Sequence, residues 1–221
     1  MSARSAGSDS ARLRLIGRSG AGGGYVLRIR VTRDCAVVFG RHAGGRAVPV
    51  PAGAYAYVGS ARAQRGASSL GRRLVRHASR SEGRPAHRIR PALVAGLLAA
   101  GLGRRPEDLL PQGAKRLHWH VDHLLDRPEA EIDRVLALRT PGGAGAGPAR
   151  GIASQAPRGS GVEVRIAARL AADTGVLPLA PGLGASDAPG RTHLLRVPEA
   201  EAWWTALVRE LAAADEDVLP G

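Results

Sequence analysis

Tyr25 and Tyr57 stand out in a 221-residue chain of which aromatic side chains make up 3%, since so few are available to fill a core. They lie in Gly24-Tyr25-Val26 and Tyr57-Val58-Gly59, and a basic run, Ser69-Leu70-Gly71-Arg72-Arg73-Leu74-Val75-Arg76-His77, follows. Hydrolysis of a phosphodiester needs an oriented, deprotonated water and fixed positive groups for the charge growing on phosphorus, often with a metal ion. Phenols, a guanidinium and an imidazole can share that work. Arg73 offers a planar fork to two phosphate oxygens. His77 lies four residues on, within reach of the same spot if the run is a helix. Glu163 shares a helical face with Ile166, Ala167 and Leu170 and lies in a first turn, where an anion is favoured; a carboxylate there could hold a hard cation. Each residue also has an ordinary explanation. The tyrosines, with Tyr55 on the same strand parity as Tyr57, could be amphipathic sheet residues with hydroxyls at the rim. The arginines could be a solvated face, and Glu163 could satisfy free helix amides.

The densest polar cluster is His118-Trp119-His120-Val121-Asp122-His123. His118 and Asp122 are four apart and could hydrogen-bond on a helix. The spacing does not match HExxH and no cysteine is near, so packing or phosphate contact is expected there ahead of zinc binding. Ser186, Asp187 and His193 lack a GxSxG elbow and do not read as a hydrolase triad.

Charge is concentrated. Residues 1–90 carry 18 Arg against 3 Asp/Glu, whereas the remainder carries 14 Lys/Arg against 16 Asp/Glu. A positive field of that kind attracts polyanions, so nucleic acid is the expected partner. Arg72, Arg76, Arg80, His118 and His120 are the expected nucleic-acid contacts. The single cysteine, Cys35, allows no disulfide within the chain, and a reducing, cytoplasmic setting is expected. No run reaches the ~18 apolar residues of a membrane span.

These residues need a scaffold. Period-two alternation predicts strands over 25–31, 36–39, 46–50 and 55–59, joined by short turns as an antiparallel meander that sets Tyr25 beside Tyr57. Ser68 or Ser69 is expected to cap a helix with Leu70, Leu74 and Ala78 inward. Further helices are expected from 118, over 162–172 and over 199–213, the last with Trp203, Leu207 and Leu211 one turn apart. Strands are expected at 135–138 and 193–197. The expected class is α+β, a small mixed or antiparallel sheet flanked by helices. Residues 1–20 are expected to be a disordered leader. Residues 21–213 are expected to form one domain with insertions at 81–114, carrying a short helix, and at 140–161, a Gly/Pro loop. A tail is expected at 214–221.

Taken together, GGGYVLRIRV, PAGAYAYVGSA, SLGRRLVRH, KRLHWHVDHLL, VEVRIAARL and PGLGASDAPGRTHLLRV resemble, in order, the GIY-YIG nuclease superfamily. More closely, they resemble a GIY-YIG-like family of unassigned function whose members occur alone or attached to endonuclease III-type DNA glycosylases. The resemblance implies a small mixed sheet flanked by helices. It implies Tyr25 and Tyr57 as motif tyrosines, Arg73 as the helix arginine and Glu163 as the ligand of a divalent ion, Mg²⁺ above others. His77 would assist at the scissile phosphate, and one tyrosine or His77 would deprotonate the water.

The chain departs from the pattern in reading Gly-Tyr for Gly-Ile-Tyr, in its long tract from 81 to 114, in the loop at 140–161, and in having Ala188-Pro189-Gly190 where cysteines are expected. The expected function is a metal-dependent endonuclease acting on DNA in repair or processing of structured DNA. The alternative is a non-catalytic nucleic-acid-binding module or a partner of a DNA-repair enzyme.

Overall fold

The computed structural model describes residues 12–17, 19–141, 161–183 and 192–216. Its centre is strand β2 (Gly22–Val31), where Tyr25, Leu27, Ile29 and Val31 point to one side and Val26 to the other. Such a run, buried on both faces, needs a layer on each side. β2 pairs antiparallel with β5 (Gly53–Ala61) and with β6 (Ala130–Thr140). β1 (Leu13–Ile16) adds to β6 in parallel, while β8 (Leu194–Val197) and the short β7 (Leu177–Pro178) extend the other edge. The result is a six-stranded mixed sheet in the order β1-β6-β2-β5-β8-β7, and the α+β class holds.

β3 (Cys35–Val38) and β4 (Ala47–Val50) leave that sheet and form a separate antiparallel pair. The four-strand meander is therefore corrected. β2 and β5 are neighbours, but the intervening strands are a side hairpin, with Pro49 unable to donate to a ladder from within β4.

The phenol-bearing face is covered by helices α1 (Leu70–His77), α2 (Arg90–Ala99) and α3 (His120–Leu125). The opposite face is covered by α4 (Gly161–Ala171) and α5 (Glu201–Glu216), through Val162, Ile166, Leu170, Trp204, Leu207 and Leu211. Leu70, Leu74 and Ala78 are fully buried along α1. Ser69 occupies the N-cap position, but its hydroxyl bonds the Gly66 carbonyl at 2.8 Å and not a helix amide.

Three segment boundaries are corrected. Residues 13–16 of the expected leader form β1, held against β6 by backbone bonds; residues 1–11 lie outside the described residues. The tract 81–114 carries the expected short helix but is not wholly peripheral: Leu93, Leu97 and Leu109 are buried in the core beneath the phenol face, while much of the rest is exposed. α5 runs to Glu216 into the expected tail. The Gly/Pro loop lies outside the described residues over 142–160, as does 184–191.

Candidate functional site

The β2–β5 register sets Tyr25 opposite Gly59 and Leu27 opposite Tyr57. Residues directly opposite share a face, so the glycine leaves room for the Tyr25 ring; a Cβ at Gly59 would overlap its Cζ and hydroxyl. The two phenol rings sit tilted with centroids 6.3 Å apart. His77, the last residue of α1, comes down on both. Its Nε2 is 2.8 Å from the Tyr25 hydroxyl, and its ring centroid is 5.7 Å from each phenol.

Behind His77 stands Asp122, completely buried. Its Oδ1 lies 3.6 Å from His77 Nδ1, past hydrogen-bond length but close enough for its charge to matter. A carboxylate on that side favours the proton on Nδ1, which leaves Nε2 to accept from the Tyr25 hydroxyl. The rest of Asp122 is saturated. Arg76 reaches both oxygens at 3.1–3.2 Å, Lys115 Nζ is 3.4 Å away, and Oδ2 accepts the amides of His118 and Trp119 at 2.9 and 3.0 Å. These amide bonds arise because Asp122 is the third residue of α3 and folds back over its start, as a capping box does. The expected His118–Asp122 contact thus runs through the histidine's backbone.

Burial sets the protonation states. It pushes His77 down to about 4, against the pull of Asp122, so the imidazole is neutral near pH 7. Burial lifts the Tyr25 phenol, with the charge and hydrogen bonding of Arg73 opposing. Tyr57 is lifted well above its ordinary value by burial, then by Tyr25 and Asp122. Burial resists ionising Asp122, yet His77, Lys115 and Arg76 hold its carboxyl far below the usual range. The site is therefore two neutral phenols, a neutral imidazole and a carboxylate. Both phenols are buried, Tyr25 completely and Tyr57 to 5% exposure.

Arg73 borders the phenols. One guanidinium nitrogen donates to the Ser60 carbonyl at 2.8 Å, its carbon lies 4.5 Å from the Trp119 ring centroid, and its Nε is buried with no hydrogen-bond partner. A buried donor without a partner is costly, and it is the kind of group a ligand oxygen would satisfy. Arg76 lies 4.3 Å from the same indole centroid. Trp119, Asp122 and Lys115 are the residues sequence reasoning left without a role at this centre. Their signal was the crowded HWHVDH run, whose meaning depends on the fold-back at the start of α3.

Glu163 reaches the centre from elsewhere. Its helix packs on the sheet face opposite the phenols, and the first turn of α4 rests on Gly24, where a Cβ would fall 3.2 Å from the Glu163 amide. One carboxylate oxygen is 3.5 Å from His193 Nδ1, which itself lies 3.1 Å from the Val58 carbonyl. Its charge is felt at both phenols, raising each. Tyr25, Tyr57, Arg73 and His77 are thus gathered on one face, and the expected placing of Glu163 with them is corrected: its helix covers the opposite face.

Among the described residues no three His, Cys, Asp or Glu side chains are grouped to hold an ion. The carboxylate expected to hold Mg²⁺, Glu163, stands on the helix that covers the opposite sheet face, and a hard cation of that kind takes oxygen ligands.

The expected nucleic-acid contacts divide. His118 is exposed and Arg72 half-buried. Arg76 is committed to Asp122. His120 packs edge-on to His42 with centroids 5.6 Å apart. Arg80 is corrected: its side chain is 8% exposed and bonds the carbonyls of Pro85, Leu125, Arg127 and Ala130 and the Glu131 carboxylate. It ties the end of α1 to β6, so its bonds serve the fold first.

A family model described as a domain of unknown function, DUF123, matches residues 24–214. The chain belongs to the DUF123 family. The matched span begins at Gly24, takes in both tyrosine motifs and the whole of the Tyr25–His77–Asp122 file, and ends within α5. No curated protein and no solved structure matches this DUF123 chain. No helix among the described residues is long and apolar enough to cross a membrane.

Proposed function

We propose that this DUF123 protein is a metal-dependent endonuclease that hydrolyses phosphodiester bonds in DNA, with GIY-YIG-like chemistry. The observation that carries the reading is the file Tyr25–His77–Asp122, with Arg73 at the Tyr25 hydroxyl and Tyr57 beside it. Neutral phenols cannot act as standing bases, but a phenol can pass protons. A water held beside Tyr57 gives its proton to the Tyr25 oxygen as Tyr25 gives its own to His77 Nε2, and Asp122 stabilises the imidazolium that results. Arg73 meets the charge growing on the phosphoryl oxygens, its unpartnered Nε supplying a ready donor. Glu163 is the residue that would hold Mg²⁺, and the chemistry such an ion would supply is Lewis acidity. The basic first 90 residues support DNA as the polyanion. A DNA-repair setting and a cytoplasmic location belong to the same proposal.

The complete burial of Tyr25 and His77 favours a second reading, a nucleic-acid-binding module without turnover. The deciding experiment incubates supercoiled plasmid and branched duplex DNA with Mg²⁺, comparing wild type with Tyr57→Phe and Glu163→Ala. Cleavage lost in both variants supports the nuclease. Equal nicking by all three overturns it, and salt-sensitive binding with no cleavage under any divalent metal selects the module.

A further inference from the structure

Beside the phenol centre, across Trp119, lies a cavity of about 430 Å³. Its wall on the α1 side is Arg72 and Arg76, and its wall on the loop before α3 is Lys115, Arg116 and His118; its remaining lining, from Leu109 to Ala114 with Ala67, is without charge. No carboxylate lines it. The cations are held in place by backbone carbonyls. Arg72 Nε donates to Asp108 O at 2.6 Å, Arg76 to Arg116 O at 2.6 Å, and Lys115 Nζ to Ser79 O at 2.9 Å. Among the described residues neither Arg72 nor Arg116 has a carboxylate partner, unlike Arg76, which Asp122 neutralises. A second hollow of about 350 Å³ shares the Leu110–Lys115 wall, but Glu82 lines it and offsets its charge.

The volume falls within the range of small-molecule sites, and the combination of a cationic wall with an apolar one suits a ligand that is anionic at one end and flat and apolar at the other. The cavity is also joined to the proposed centre. Arg73 and Arg76 both lie over the Trp119 ring, and three residues of helix, ~4.5 Å along its axis, separate their positions. A strand whose phosphate sits at Arg73 has its neighbouring nucleotide at this opening. A base-paired nucleotide cannot enter a concave site, whereas an unpaired or extruded one can.

We infer that this cavity receives an unpaired nucleotide adjacent to the phosphate at Arg73, with Arg72 and Arg116 on its phosphate and the Leu109–Pro111 wall against its base. The substrate class is then DNA carrying a flap, bulge or single-stranded junction. The inference rests on the proposed DNA reading of the site but not on turnover.

The test measures binding by the full chain, without divalent metal, to a duplex and to the same duplex with one unpaired nucleotide, for wild type and Arg116→Ala. Competition uses 5′-dAMP, deoxyadenosine and inorganic phosphate. The expected result is tighter binding of the bulged duplex, and a loss of about tenfold on that DNA alone in Arg116→Ala, the scale of one charge-assisted bond. dAMP should compete better than phosphate, and phosphate better than deoxyadenosine. Equal losses on both DNAs, or equal competition by phosphate and dAMP, would overturn the inference and leave a general electrostatic surface. Because binding is read, absence of cleavage would defeat the nuclease reading alone, whereas cleavage with no preference for unpaired nucleotides would defeat the cavity alone.

Discussion

The hydroxyl of Tyr25 and Nε2 of His77 stand 2.8 Å apart in a fully buried setting, brought together from positions 52 residues apart. One phenol, one imidazole and, behind it, the Asp122 carboxylate form a line through the core, with the buried Tyr57 ring beside the first two. Burial keeps the first two neutral, and the neighbouring Lys115 and Arg76 keep the third charged against it.

That line depends on an absent side chain. Gly59→Ala places a methyl on the Tyr25 ring, and neither can yield without moving the packed core. The substitution is expected to cost about 1–3 kcal/mol, read as a lower urea midpoint at unchanged slope. Wild-type stability in the alanine variant would contradict the β2–β5 register.

His77 makes stability depend on pH in a defined direction. Its folded value is lowered to about 4 from an ordinary 6.5, so the unfolded chain binds the extra proton first. The neutral form is therefore no burden above pH 6.5, and stability falls as pH drops from about 6.5 to about 4, by roughly 3 kcal/mol from this group. Denaturant unfolding of wild type and His77→Gln across that window checks it. The variant should show the shallower decline, and parallel curves would contradict the assignment.

Asp122 acts in a lower window. Its folded carboxyl is held far below its ordinary value, so its contribution is fully present above the ordinary carboxylate range and is lost as pH falls below about 4. Asp122→Asn leaves Arg76 and Lys115 without their anion and is expected to cost about 3–5 kcal/mol near pH 7. The cost should shrink toward pH 2; an acid-independent cost would mean the carboxylate is not the charge that matters.

Arg80 and Arg116 should separate structure from binding. Arg80→Ala strands the carbonyls of Leu125, Arg127 and Ala130 and the Glu131 carboxylate, and is expected to lower stability by on the order of 3 kcal/mol. Arg116→Ala, at an exposed side chain, should change stability by under about 0.5 kcal/mol. Thermal melts of both variants check this, and an Arg80→Ala protein as stable as wild type would restore Arg80 as a surface contact.

Much of this was legible in the sequence where a short period was at work. Alternation at Tyr25, Leu27, Ile29 and Val31 gave β2, and the Leu70–Leu74–Ala78 stripe gave α1 and with it the placement of Arg73 and His77. What was hidden involved partners far along the chain. β1 has only four residues, among arginines and serines, and becomes a strand because β6 supplies a parallel edge. Leu93 and Leu97 sit in a tract rich in Arg, Gly and Ala, and their burial depends on α1 and β1 lying above them. Asp122 was seen, but as a partner of the His118 side chain. Its anchoring of His77 appears only when α1 and α3 cover the same sheet face.

The central claim is that this buried file moves a proton during phosphodiester hydrolysis. The most direct measurement is the single-turnover cleavage rate of a labelled branched DNA in Mg²⁺ by wild type and Tyr25→Phe, which removes one oxygen and keeps the ring. A loss of about 10²–10⁴ in rate with DNA affinity unchanged is the expected result. Cleavage at the wild-type rate by Tyr25→Phe would contradict it.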